Sequence, residues 1–418
     1  MIDILFINPR TEINYNEDSD EDEDPIYHVN DPHSHESLRE PPNGLLILSA
    51  IMQKLGYSTE LMDCSLLVNP YDMIRKKHDQ YRLIGITALT NTINYAMQLA
   101  KTAKRYNPKA FIILGGPHAS FTYEELLHQY PFIDCICIGE AEQTFPWLTK
   151  TILQVPSIDS VYDNNIDIDN TSNTFGKFQN IMSKLEKIPK GLAYLSSPIK
   201  NSFLLDVYRW IKGFGTKRDD VTWQIDEKKS REKDITYTGF PDATDLSKLP
   251  LPNRETISMQ YSVADVLINR GCPNNCSFCS RTKLFPKMRI RSIDSVFKEL
   301  NQILSHSNYR FVNFYDNINI NIDHFDKFLE RLHEENFPLP WGAELRADYI
   351  TSKQARLMKE TKCQIVATGI ESADKEVLKQ NFKMQDPQKV ATGIKILKRE
   401  GIAIQAYFMI GLPGDTKE

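Results

Sequence analysis

Three of the chain's seven cysteines fall in the stretch Gly271-Cys272-Pro273-Asn274-Asn275-Cys276-Ser277-Phe278-Cys279, spaced C-x3-C-x2-C. Three like side chains so close in sequence can be brought to one centre, which makes this spacing the tightest constraint on the fold. The apolar run 263–268 comes directly before it. A loop leaving a strand end can aim three thiolates at one centre, and thiolate is the ligand that iron–sulfur clusters take. Three protein ligands on a four-iron cube leave one iron without a side-chain donor, which suits chemistry rather than electron storage alone. A zinc knuckle is the alternative. Zinc sites usually draw four ligands from paired Cys or Cys/His sets, and no fourth Cys or His stands close by in sequence.

Composition narrows the class. A length of 418 residues implies about two to three domains, and 41% hydrophobic with 25% charged residues is ordinary for a globular chain. The formal net charge of −5 lacks the basic footprint of a nucleic-acid binder. No apolar run reaches about 18 residues, so no membrane span is expected. The N-terminus, Met1-Ile2-Asp3-Ile4-Leu5-Phe6-Ile7-Asn8-Pro9, has no basic region or small-residue cleavage site and reads as a buried strand. An odd cysteine count with a three-cysteine cluster argues against a disulfide scaffold, and thiolates that must stay unoxidised fit a reducing cytoplasm.

Over residues 1–155, apolar runs at 2–8, 58–63, 83–87, 111–115 and 134–139 alternate with helical patterns at 44–55, 91–106, 123–130 and 143–153. This alternation predicts an α/β, doubly wound, Rossmann-like parallel sheet that binds its ligand beyond the carboxyl ends of the strands. The acidic run 17–24 interrupts it and reads as a solvated loop. Residues 156–255 form a linker or insert: 157–174 is rich in Asp and Asn, 203–211 patterns as a short helix, 217–234 is charge-dense, and 241–252 is an extended Pro-rich connection. From residue 256 the alternation resumes. Strands are expected at 263–269, 311–316, 341–346, 365–369 and 403–410, with helices at 293–306, 322–336, 352–361, 375–380 and 387–400. Repeats of this kind curl into a full or partial barrel with its chemistry at the strand ends. A sixth βα unit would follow, so the sequence reads as a partial (β/α)6, TIM-like barrel that is incomplete at its C-terminal end.

The unusual residues stand at those ends: the cysteines, then Tyr315-Asp316-Asn317, Glu344 with Arg346, Gly369-Ile370-Glu371-Ser372, and Gly411-Leu412-Pro413-Gly414-Asp415-Thr416. In this order they resemble the motifs of the radical S-adenosylmethionine (SAM) superfamily, in particular the subgroup whose barrel follows a cobalamin-binding domain. The resemblance implies a [4Fe-4S] cluster on Cys272, Cys276 and Cys279. It implies that Tyr315, Asp316 and Asn317 hold the SAM amino group and that Arg346 faces its carboxylate. Glu371 and Ser372 would bind the ribose, with the strand ending at Gly411 along the adenine. It also implies reductive cleavage of SAM to methionine and a 5′-deoxyadenosyl radical. Arg suits a planar carboxylate and Glu a diol, although Glu344–Arg346 or Arg346–Asp348 pairs are equally readable as simple salt bridges.

The front domain resembles the B12-binding domain of the same subgroup through Asn8-Pro9, Pro41-Pro42-Asn43-Gly44-Leu45-Leu46, Gly85 to Thr90, Gly115-Gly116-Pro117-His118 and Gly139-Glu140-Ala141-Glu142. The resemblance implies cobalamin contacts at Asn8, Pro9, Thr87, Thr90, Gly115, Gly116, His118, Gly139 and Glu140, with Asn43 and Leu89 shaping the corrin pocket. Many B12 domains carry D-x-H-x-x-G; here Asp31-Pro32-His33-Ser34-His35-Glu36 lacks the Gly, so cobalamin is expected without a protein axial ligand. The leading expectation is a cobalamin-dependent methyltransferase acting on an unactivated carbon or phosphorus of a small-molecule or natural-product substrate. Its electron donor would be a flavodoxin or ferredoxin. A radical SAM cyclase or oxidoreductase is the runner-up. A tRNA methylthiotransferase would need a second cluster on Cys64, Cys135 and Cys137, and a cobalamin-binding fragment without turnover is the non-enzymatic rival. The sequence names no substrate.

Overall fold

The computed structural model describes residues 2–11, 41–67, 69–153, 182, 188–196, 235–257 and 261–416. The acidic run 17–24, the loop 31–36 with His33, and the stretches 157–174, 203–211 and 217–234 lie outside the described residues. Two units emerge. Of the described residues, one takes in 2–11 and those from 44 to 244; the other takes in 41–43 and those from 245 to 416.

In the first unit β1 (Ile2–Asn8), β2 (Thr59–Asp63), β3 (Tyr81–Thr87), β4 (Phe111–Gly115) and β5 (Cys135–Cys137) run parallel in the order β2-β1-β3-β4-β5. Side chains alternate across a strand. Leu5 and Ile7 therefore share one core with Ile84, Ile86, Ile112 and Leu114, while Ile4 and Phe6 share another with Leu83, Phe111 and Ile113. A sheet buried on both faces needs helices on both. The helices α1 (Asn43–Lys54) and α6 (Thr144–Leu153) give Leu45, Met52, Phe145 and Leu148 to the second core. The helices α2 (Pro70–Lys76), α3 (Ile93–Tyr106), α4 (Pro117–Phe121) and α5 (Tyr123–Gln129) give Ile74, Leu99, Ala119 and Leu127 to the first. The strand order reverses between β1 and β3, which opens a crevice at the carboxyl ends of the strands. Two strands from the stretch read as linker or insert, β6 (Leu192–Leu195) and β7 (Ile235–Tyr237), extend this sheet antiparallel beyond β5.

In the second unit β8 (Val263–Leu267), β11 (Phe311–Tyr315), β12 (Trp341–Glu344), β13 (Cys363–Glu371) and β14 (Ala403–Phe408) form a parallel sheet in chain order. A short antiparallel pair, β9 (Asn269–Arg270) with β10 (Arg289–Ile290), closes the base of the cysteine loop. The crossover helices begin on capped N-termini: Ser292, Asn321, Asp374 and Asp386 accept from their first turns, and Thr351 with Gln354 makes a capping box. Trp341, Phe314 and Phe328 pack edge to face at 5.0–6.4 Å between sheet and helices. Beneath β8, the fully buried Arg254 and the nearly buried Arg291 both bind Glu299 of the helix Ile293–Leu304.

Candidate active site

Gly271 turns the chain out of β9 at φ +88°, where a Cβ would lie 2.7 Å from the Lys287 carbonyl. Only glycine lets the outgoing and returning limbs of the cysteine loop touch there. Within the loop the Cys279 N–H donates to the Cys276 carbonyl at 3.1 Å, and Asn274 Nδ2 donates to Cys272 Sγ at 3.4 Å. The fully buried Asn381 anchors the far side. Its carbonyl and Oδ1 accept from the Ser277 N–H (3.0 Å) and Oγ (2.8 Å), and its Nδ2 donates to the Pro413 carbonyl at 2.9 Å. One asparagine thus ties the cysteine loop to the turns that follow β13 and β14.

The three cysteines line a cavity of ≈ 240 Å³ together with Asn317, Glu344, Arg346, Glu371, Lys383 and Tyr407. Burial pushes the Cys276 thiol up; the Lys383 charge opposes this, and Cys279 and Cys272 add to it. Among the described residues no three His, Cys, Asp or Glu side chains converge tightly enough to hold a single metal ion. Three thiols around one cavity instead fit a polynuclear group whose metal atoms are spread among them.

Each charged residue of the cavity is held by a counter-charge. Arg281, two positions after Cys279, pairs with Asp316 at 2.8 Å and Glu344 at 3.2 Å. Arg346 is locked to both oxygens of Asp348 at 3.0 and 2.7 Å, donates to the Met384 carbonyl, and lies 4.6 Å from the Tyr349 ring centre. Lys383 holds Glu371 and the Gly369 carbonyl, both at 2.9 Å. Asp316 and Glu371 stand at strand ends in the left-handed region, with φ +70° and +63°. Non-glycine residues persist there only when their surroundings over-determine them. Burial raises the Asp316 carboxyl to about 6, with Arg281 pulling the other way. Burial also pushes the Tyr315 phenol up.

Of the barrel residues expected from the sequence, Cys272, Cys276, Cys279, Asn317, Arg346 and Glu371 line this cavity. Asp316 reaches it through Arg281. Ser372 Oγ accepts from the Asp374 N–H, and Gly411 sits in an exposed turn closed by Asp415. Arg281, Lys383 and Asn381 stand outside the expected site residues; a cation or an amide inside an otherwise ordinary loop or turn gives no sequence signal of its partner.

In the first unit the turns after β3, β4 and β5 interlock. Gly116 takes φ +95° with a Cβ position 2.7 Å from the Ala88 carbonyl, so the β4 turn presses on the β3 turn. The His118 N–H donates to the Ala88 carbonyl, and its Nδ1 lies 3.2 Å from Thr90 Oγ1. Ser120, also unanticipated, donates to the Gly116 carbonyl at 2.8 Å and accepts from the Gly139 N–H at 2.9 Å. Glu140 turns inward to accept from the Thr244 N–H. Asn8 accepts the Cys64 N–H on its carbonyl, Pro9 is buried, and Thr87 ends β3. Leu89 and Thr90 are exposed, with Gly115 clear of close neighbours, an open rim suited to a flat ligand. Asn43 falls with the second unit, its Nδ2 donating to the Asp265 carbonyl at 2.9 Å.

Cys135 and Cys137 lie in one core of the first sheet and Cys64 in the other. Burial raises all three thiols. They do not form the second three-cysteine site that a methylthiotransferase would need.

Two family models match the chain: a B12 binding domain over residues 37–149 and the radical SAM superfamily over 266–418. An uncharacterized methyltransferase of Pyrococcus horikoshii is 26% identical over 389 residues, 90% of this chain and 71% of the relative. An anaerobic magnesium-protoporphyrin IX monomethyl ester cyclase of Rubrivivax gelatinosus is 26% identical over 385 residues, 90% of this chain and 60% of the relative. The solved structure of the cobalamin-dependent SAM radical enzyme OxsB, with aqua-cobalamin and SAM bound, superposes with a TM-score of 0.65 at 15% identity. It covers 99% of this chain, which spans 50% of OxsB.

Proposed function

The chain belongs to the cobalamin-binding radical SAM family, and from that premise we propose that it is a methyltransferase acting on an unactivated carbon or phosphorus of a small-molecule substrate. The observation that carries the reading is the single cavity in which three cysteines face a ring of paired charges. Cys272, Cys276 and Cys279 would hold a [4Fe-4S] cluster; Asn317, Arg346 and Glu371 would meet SAM; the rim formed by Thr87, Leu89, Thr90, Gly115 and Gly116 would carry cobalamin without a protein axial ligand. When bound, these groups supply an electron for reductive SAM cleavage and a transferable methyl group.

The chain's own residues orient and insulate. Lys383 fixes the Glu371 carboxylate for a diol, and Asp348 with the Met384 carbonyl fixes the Arg346 plane. With Asp348 already bidentate on it, Arg346 meets an anion through its remaining edge. Arg281 pairs with Asp316 and Glu344 and so balances their charge beside the thiols. A one-electron donor of the flavodoxin or ferredoxin class and a reducing cytoplasm complete the reading.

Anaerobic reconstitution tests it: roughly four irons per chain, a corrinoid absorption spectrum, and methionine with 5′-deoxyadenosine formed from SAM under reduction. Zinc in place of iron, or no corrinoid uptake, would refute it. The cyclase relative favours a second reading, ring closure with the same cofactors. Methyl transfer from isotopically labelled SAM into product separates the two.

A further inference from the structure

Between residues 270 and 291 stand Arg270, Arg281, Lys283, Lys287, Arg289 and Arg291 and no Asp or Glu, in a chain whose net charge is −5. The structure sorts these cations. Arg270 and Arg291 are buried, Arg281 is spent on Asp316 and Glu344, and the half-buried Arg289 donates to the Lys287 carbonyl. Lys283 and Lys287 are exposed, and neither pairs with a carboxylate among the described residues. Both sit directly behind the cysteines. The Lys287 carbonyl packs against Gly271, next to Cys272, and Lys283 lies on the short helix Arg281–Leu284 that follows Cys279. Neither lines the cavity.

We infer that this outer side of the cysteine loop is the docking surface for a small acidic one-electron carrier protein. The inference rests on the cluster reading given above. Transient redox partners bury little surface and are steered by charge. Over most of a net-negative chain an acidic carrier is repelled, so a local positive patch both attracts it and sets its orientation. Lys283 stands four residues past Cys279 and the Lys287 carbonyl packs on the residue before Cys272, so a carrier held here docks on the cysteine loop itself, where a short electron path is needed. Two exposed lysines are too small a footprint for nucleic acid, whose binding neutralises many phosphates. In the step served, one electron leaves the reduced centre of the carrier, which is oxidised by one, and enters the group held by the cysteines. No bond at the interface forms or breaks.

The test uses holoprotein, reduced flavodoxin in a stopped-flow instrument, and calorimetric titration of flavodoxin into holoprotein. The Lys283→Glu/Lys287→Glu pair should slow flavodoxin-driven reduction by ~10-fold or more at low salt, abolish its salt dependence and weaken binding in step. Iron content and reduction by photoexcited 5-deazaflavin, an uncharged small reductant, should stay as in the wild type. Lys283→Gln/Lys287→Gln should give a smaller change of the same sign, which guards against a folding defect in the reversal. Unchanged flavodoxin rate and affinity overturn the inference alone. Equal slowing with deazaflavin overturns it too, assigning the lysines to holding the loop. A wild type that takes up no iron overturns the cluster reading and the inference with it.

Discussion

Asp316 shows how much one side chain can report. Its left-handed backbone and its Arg281 partner fix it at the end of β11, while burial raises its carboxyl from 3.8 to about 6. Between those values the folded protein keeps a proton that the unfolded chain has lost. Stability therefore falls as pH rises through that window and levels off above it, by at most about 3 kcal/mol. Thermal melts of the apoprotein between pH 4 and 7 should show this slope, and Asp316→Asn should flatten it. Lys383→Met is expected to cost about 1–2 kcal/mol by leaving the half-buried Glu371 without its cation. It should also weaken SAM binding by roughly tenfold in equilibrium dialysis. At this scale the sequence is legible where the residue type itself limits the chemistry, as with the three cysteines. It is opaque where meaning depends on who stands opposite. Nothing in Lys383 or Arg281 names Glu371 or Asp316, and for Arg346 the sequence leaves Glu344 and Asp348 open as partners, of which the structure takes Asp348.

Elements were legible in proportion to their length and periodicity. β1, β4 and the helix Lys375–Gln380 fall at the expected bounds, and the remaining long strands and helices differ by a few end residues. End residues carry the weakest signal, since capping and fraying decide them. β6 and β7 were missed because four- and three-residue strands hold too few side chains to show a period. Two changes probe the elements that hold the site. Gly116→Ala forces a side chain into a backbone conformation open almost only to glycine, at about 1–3 kcal/mol before the contact with Ala88 is counted. Corrinoid uptake should fall with it, measured by absorption after gel filtration. Glu299→Gln leaves two guanidinium groups buried without their shared carboxylate, and should destabilise the second unit by about 3–5 kcal/mol in urea unfolding.

For the molecule as a whole, the two units make a separable prediction. Cys272→Ala should remove iron and SAM cleavage while corrinoid uptake persists; loss of both would contradict the division of labour between them. The doubly wound sheet and the five parallel strands of the barrel-type sheet were both readable from alternating apolar runs, because burial on two faces leaves a continuous apolar signature. β14 is the edge of its sheet among the described residues, paired on one side with β13, and it ends in an exposed Phe408, Met409 and Ile410. An open edge with greasy neighbours is a template on which another extended segment can crystallise its backbone hydrogen bonds. Purified at high concentration, this chain is therefore expected to associate through β14 first, with turbidity rising steeply with concentration and temperature. Phe408→Lys should delay that onset in light scattering, which makes the solubility of the preparation, rather than its melting point, the quantity governed by this strand.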